Sequence, residues 1–303
     1  MKKASPISYA QQGVYIDCVI DPENLRYNNP KAIVFEKKVT SKAVVEALAK
    51  VLECHPALFS HFEEIEGKPM QVFAEECHAE VTLRQVSASE ADAAKASFVR
   101  LFDIGHGPLY RAEVLDAPTE VLLLIDFHHL VYDGVSLNII MQELCSLLNG
   151  IEPSLESNSY AAYAEAQQAN TALHKAYFDS LFSEGVTPTH IPEDLGTEEG
   201  SHEEYVHLLS TTDTISKAKA LGTAPSALFM ASAFYTLSRY VNSKNLCITT
   251  ISSGRQNPLS QGVVGMFVNT LPLVCNIKDE TVREFIHVIR EMFQQMRQHE
   301  EYP

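Results

Sequence analysis

Residues 121 to 127, VLLLIDF, carry a single charge, and the run ends abruptly in two histidines, His128 and His129. So short and uniformly apolar a run suits a strand covered on both faces, because a strand with one wet face would alternate apolar and polar residues. After HHLVYDG, the apolar residues Leu137, Ile140, Met141, Leu144, Leu147 and Leu148 recur at helical spacing. The chain must therefore build a sheet interior with helices over it, and both imidazoles fall where a strand end meets a helix start.

The rest of the sequence repeats this alternation. KAIVFEKKV (31–39) reads as a strand, and Val44, Val45, Leu48, Val51 and Leu52 form one helical stripe behind a Thr40/Ser41 cap. Strands follow at MQVFAE and AEVTLRQV, then a helix to about Leu101 opened by Ser87 and Glu90 at capping-box spacing. LYRAEVL and EVLLLIDF, joined by DAPT, read as a hairpin. NGIEPSLESNS (149–159) reads as a linker, and a long helix runs from Tyr160 to about Phe182 into the acidic stretch EGVTPTHIPEDLGTEEGSHEE. Beyond it, YVHLLS, LCITTISSGR and VVGMFVNTLPLVCNI are expected strands, and SALFMASAFYTLSRYV is an expected helix. A final helix carries Val282, Phe285, Ile286, Ile289, Met292, Phe293 and Met296. With 303 residues, two cores are expected, over 1–159 and 160–303.

Composition narrows the function classes. A net charge of −16 without a basic cluster repels phosphate backbones and anionic lipid, so neither nucleic acid nor a membrane is an expected partner. No apolar run is long enough for a membrane span or a secretory signal, and the six cysteines show no CxxC spacing. A cytoplasmic location and no metal are expected.

Three readings of the histidine stretch compete. As a metal site it is weak, because neighbouring strand residues point to opposite sides and only one of the pair faces a given ion. As architecture, one histidine is a bonded core residue and Asp133 a helix cap. As catalysis, a histidine at a strand end accepts a proton from a nucleophile while backbone N–H groups near Gly134 face a developing oxyanion. HHxxxDG arises at random in about one chain in a thousand of this length.

HHLVYDGVS resembles the HHxxxDG signature of nonribosomal peptide synthetase condensation domains, members of the chloramphenicol-acetyltransferase-like acyltransferases. SYAQQGVY (8–15), LECHPALFSHF (52–62), NSYAAYAEAQ (158–167), VGMFVNTLPL (264–273) and QHEEYP (298–303) are similar to further motifs of that family, in its order. Cys54 stands where the family carries arginine, which weakens a structural ion pair, and Val135 where it often carries tryptophan. Family members continue well past the final motif, so the second lobe is expected to be incomplete. The implied fold is α/β of the α+β type: two acyltransferase-like lobes with mixed sheets flanked by helices.

The resemblance implies amide-bond formation, by attack of an acceptor aminoacyl amine on a donor acyl or peptidyl thioester. Both would be carried on phosphopantetheine arms of carrier-protein domains, with an adenylation domain a possible neighbour and no cofactor bound by the domain itself. It makes His129 the catalytic residue and His128 and Asp133 structural, with Arg255 the partner of Asp133 in a strut between lobes and Arg111 the second candidate. Gly134 keeps a substrate tunnel open and permits unusual backbone angles. Ser136 caps the following helix or lines the channel, and Asn269 and Thr270 line it too, while Phe267 and Val268 are buried strand residues. Alternatives are a related acyltransferase using coenzyme A or a free alcohol or amine, an epimerisation domain, or a non-catalytic carrier-protein docking module.

Overall fold

The structure, a computed structural model, describes residues 3–152, 158–183, 185–191 and 210–302. The strand expected at YVHLLS and most of the acidic stretch before it lie outside the described residues, as does the middle of the expected linker. In chain order the first elements are β1 (Lys3–Pro6), α1 (Tyr9–Ile20), β2 (Asn28–Glu36), α2 (Ser41–Glu53), β3 (His61–Ile65) and β4 (Lys68–Phe73). They are followed by β5 (Thr82–Gln85), α3 (Ala88–Ser97), β6 (Tyr110–Asp116), β7 (Glu120–His128), α4 (Gly134–Leu148) and α5 (Tyr160–Leu181). The remainder comprises α6 (Thr211–Ala220), α7 (Pro225–Tyr240), β8 (Asn245–Ser252), β9 (Asn269–Asn276) and α8 (Val282–Gln298).

Local chemistry accounts for many of these boundaries. Thr40 accepts from the Ala43 N–H and starts α2. Ser87 and Glu90 exchange backbone and side-chain bonds at the start of α3, satisfying two N–H groups that the helix leaves orphaned. Ser8 and Gln11 form the same box before α1, a helix absent from the sequence expectations although its cap spacing is readable. β3 is also absent from the sequence expectations, because His61, Glu63 and Glu64 spoil its apolar signal. Its hairpin to β4 turns on Glu66 and Gly67, both at positive φ, as a two-residue primed turn requires.

Contacts divide the chain into two compact units. The first takes the described residues within 1–172, 253–269 and 301–303, and the second those within 173–252 and 270–300. The grouping follows contacts rather than chain order. The start of α5 and residues 253–269 join the first unit, although both follow the 159/160 division expected from the sequence.

In the first unit, β7 is interior in a sheet of order β2-β7-β6-β5, antiparallel to both neighbours, with β5 parallel to β6. Its alternation explains why the run is apolar throughout. Val121, Leu123, Ile125 and Phe127 enter a core shared with Leu48 and Val51 of α2 and Ile140 and Leu144 of α4. Leu122 and Leu124 point the other way, against Ala91, Ala94 and Phe98. A second sheet, β1-β4-β3, is antiparallel throughout.

The second unit pairs β8 with β9 and holds α6, α7 and α8. Phe285, Ile286, Ile289 and Met296 of α8 are buried as the stripe requires, whereas Val282, at the first turn, is exposed. No single helix among the described residues is long and apolar enough to cross a membrane.

One expected strand is corrected. VVGMFVNTLPLVCNI is extended strand only from Asn269, and residues 253–268 are irregular apart from a 3₁₀ turn at Pro258–Ser260. A strand does not form there because the backbone groups of Val263, Gly265, Met266 and Phe267 are bonded by the side chains of Arg255, Ser136, Tyr160 and Asp133, and Gly254 takes positive φ just before it, where a Cβ would lie 1.9 Å from the Phe267 carbonyl oxygen. Phe267 is buried as expected, but in this irregular segment rather than in a strand.

Burial makes the β7 contribution measurable. Leu123→Ala should cost about 2–5 kcal/mol in urea unfolding, while Leu83→Ala on the half-exposed β5 should cost less than about 1 kcal/mol. Equal losses at the two sites would contradict the two-faced burial of β7.

Candidate active site

The strand alternation of β7 ends at His128, and the chain turns at once through a 3₁₀ turn, His129–Val131, into the Asp133 cap of α4. The turn separates the two imidazoles. His128 is buried, and its Nδ1 accepts from the Leu130 N–H at 3.2 Å. The proton of the neutral ring therefore sits on Nε2, which lies 3.7 Å from the Cys18 sulfur. Phe102 meets the His128 ring edge-on. Burial pushes the His128 pKa down to about 4, helped by the positive charge of a protonated His129 and of Arg111.

His129 has a different environment. Its backbone N–H donates to the Tyr27 carbonyl at 2.9 Å, the residue is half-buried where His128 is buried, and Nδ1 lies 3.1 Å from the Met266 sulfur. Gln11 buttresses the turn, donating from Nε2 to the Leu130 carbonyl at 2.7 Å. Thus SYAQ, at the far end of the sequence, acts as a brace for the histidine turn.

Asp133 is fully buried and heavily bonded. Oδ1 accepts from the Ser136 N–H at 2.7 Å and from Arg255 Nη2 at 2.9 Å, while Oδ2 accepts from Arg255 Nη2 at 3.1 Å and the Phe267 N–H at 3.3 Å. Arg255 Nη1 donates to the carbonyls of Ser260 and Val263 at 2.9 and 2.8 Å, and the guanidinium lies over the Phe267 ring. This ion pair joins positions 122 apart in sequence, and both partners belong to the first compact unit. Arg111, the second candidate, pairs with Asp126 instead.

Two expectations about this region change. Ser136 neither caps α4, a task taken by Asp133, nor lines an open channel, because it is fully buried. Its hydroxyl accepts from the Gly265 N–H and from Arg255, and its own proton lies within reach of Asp133 Oδ1 and the Gly265 carbonyl. Gly134 shows no positive φ, and a Cβ there would meet nothing within 4 Å beyond its chain neighbours and its own helix backbone, so neither backbone angle nor packing demands glycine. The Asp133 carboxylate also occupies the start of α4, so that helix end already faces a negative charge and offers little to a developing oxyanion.

Asn269 is half-buried and donates to the Tyr302 carbonyl at 3.0 Å. Thr270 is exposed and belongs to the second unit. Cys54, at the arginine position, ends α2 and donates to the Lys50 carbonyl, while the adjacent His55 bonds Glu143 of α4 at 2.7 Å. Among the described residues, no three His, Cys, Asp or Glu side chains are grouped so as to hold a metal ion.

Sequence reasoning missed Met266 and Tyr160. The Tyr160 hydroxyl donates to the Met266 carbonyl and accepts from Ser8 Oγ, since a carbonyl only accepts. A Cβ on Gly265 would lie 2.1 Å from the Tyr160 ring, which makes glycine obligatory at that position.

The depressed His128 pKa carries a stability signature. A buried neutral histidine adds full stability above its unfolded pKa of about 6.5 and loses it as pH falls toward the folded value. Between pH 7 and pH 5 the wild type should lose about 2 kcal/mol, in urea unfolding, that a His128→Asn variant keeps, because asparagine retains an acceptor for the Leu130 N–H. Identical pH dependence in the two proteins would contradict the burial of a neutral imidazole.

Comparison with known proteins identifies the family and the fold. The family model described as "Condensation domain" matches residues 1–303. Surfactin synthase subunit 2 of Bacillus subtilis is 28% identical over 98% of the chain, and tyrocidine synthase 3 of Brevibacillus parabrevis is 26% identical over 98%. The chain spans only 9% and 5% of those proteins. Among solved structures, the condensation domain from monacolin K polyketide synthase MokA matches with a TM-score of 0.85 at 19% identity, over 99% of this chain and 74% of that one. The first condensation domain of the calcium-dependent antibiotic synthetase, in complex with a substrate analogue, matches with a TM-score of 0.76 at 16% identity, over 99% and 76%. The fold is the mixed α/β, chloramphenicol-acetyltransferase-like fold of these domains. The chain belongs to the condensation domain family.

Proposed function

We propose that the chain catalyses amide-bond formation between a donor acyl or peptidyl thioester and an acceptor aminoacyl thioester, each delivered on the phosphopantetheine arm of a carrier-protein domain. An adenylation domain is a candidate neighbour, and the chain comprises an acyltransferase-like lobe over 1–159 and part of a second over 160–303. The observation that carries the reading is a half-buried His129 at the strand end beside a buried, neutral His128. Six free thiols suit a reducing cytoplasm.

In this mechanism the acceptor amine attacks the thioester carbonyl carbon, and a C–N bond forms. Nε2 of His129 takes a proton from the nitrogen, the C–S bond breaks, and the proton leaves with the sulfur. An α-amine with a pKa of about 8 is already partly neutral at cellular pH, so His129 acts as much by orienting the nitrogen as by removing its proton. Asp133, Arg255 and His128 hold the turn without touching substrate. Gly134, whose Cβ position is open, leaves room for the pantetheine arm or acyl group, and Asn269 and Thr270 belong to the substrate path.

The test uses loaded donor and acceptor carrier proteins with the full-length parent protein. His129→Ala should lower product formation at least about a hundredfold while urea stability stays within about 1 kcal/mol of wild type. Equal product from both proteins would refute the assignment.

A further inference from the structure

The side chain that Nδ1 of His129 meets is a thioether, and this bears on which nitrogen can act as the base. A neutral imidazole carries one proton, and its location follows from the partner of the other nitrogen. The Met266 sulfur has no hydrogen and only accepts. With Nδ1 3.1 Å from that sulfur, the favourable arrangement puts the proton on Nδ1 and leaves the lone pair on Nε2.

The thioether is itself firmly held. Met266 is buried, and its carbonyl accepts from Tyr160. On one side, Gly265 is bonded through both its N–H and its carbonyl to the Ser136 hydroxyl, and on the other the Phe267 N–H donates to Asp133. The Asp133–Arg255–Ser136 cluster thus reaches His129 through residues 265–267 as well as along the turn that leads into α4. Its task in the site becomes specific: it fixes a backbone that carries one sulfur atom to one ring nitrogen.

We infer that Met266 is a positioning residue that sets the tautomer of His129, accepting from Nδ1–H so that Nε2 faces substrate as the free base. The inference rests on the catalytic reading of His129, but its primary readout does not require turnover. Long-range ¹⁵N–¹H NMR of the histidine-labelled chain, with the His129 signal assigned by its loss in His129→Ala, reports the tautomer at a pH where the ring is neutral. Wild type should show Nδ1 protonated and Nε2 bare. Met266→Leu, close in volume, should move the ring toward the Nε2–H form, and Met266→Gln, which restores an acceptor, should move it back. In the full-length parent, product formation should fall about tenfold in Met266→Leu and recover largely in Met266→Gln.

A wild-type ring protonated on Nε2, or a Met266→Leu ring unchanged from wild type, overturns the inference. Undiminished product formation in His129→Ala instead overturns the catalytic reading and leaves the tautomer result standing, so the two failures are distinguishable.

Discussion

The buried ion pair between Asp133 and Arg255 is the interaction on which the site depends. Both groups are withdrawn from water, a state tolerated when geometry is good and most of the remaining hydrogen-bonding capacity is used, although Arg255 Nε is left without a partner. Here Asp133 accepts from two backbone N–H groups besides the guanidinium, and Arg255 donates to two carbonyls besides the carboxylate. Removing either partner leaves an uncompensated charge inside the protein. The pair anchors an irregular segment, residues 253–269, onto the strand-turn-helix that carries the histidines, although more than a hundred residues separate the two in sequence.

From that anchor the rest follows by contact. β7 supplies a rigid strand end, buried on both faces, and the turn after it parts two adjacent imidazoles into unlike surroundings. One becomes neutral architecture, wedged against Cys18 and Phe102. The other belongs to a half-buried residue, with a thioether behind it. The braces come from the chain's beginning, through Ser8 and Gln11, and from the start of α5, through Tyr160. Segments scattered along the sequence, around Ser8 and Gln11, His128 to Ser136, Tyr160, and residues 264–267, thus converge in the first compact unit.

Features that depend on short-range patterns were legible in the sequence. The apolar run announced an interior strand, the capping box at Ser87 and Glu90 announced α3, and the hairpin through DAPT followed from turn composition. Residues 263–268 misled because valine, methionine and phenylalanine look like strand residues. Their apolar side chains are indeed largely buried, but their backbone groups are bonded by Asp133, Ser136, Tyr160 and Arg255 instead of a neighbouring strand. Such long-range pairing leaves no periodic trace. For the same reason Ser136 read as a cap or a channel hydroxyl when it is the hub of a buried cluster, and Met266 drew no notice.

A double-mutant cycle on Asp133 and Arg255 tests the central claim most directly, with alanine at each position, alanine at both, and urea unfolding as the measurement. The account predicts a coupling energy of about 2 kcal/mol or more, because each single variant strands the other charge while the double variant does not. Additive losses, within about 0.5 kcal/mol, would show that the two side chains do not hold each other and would contradict the account.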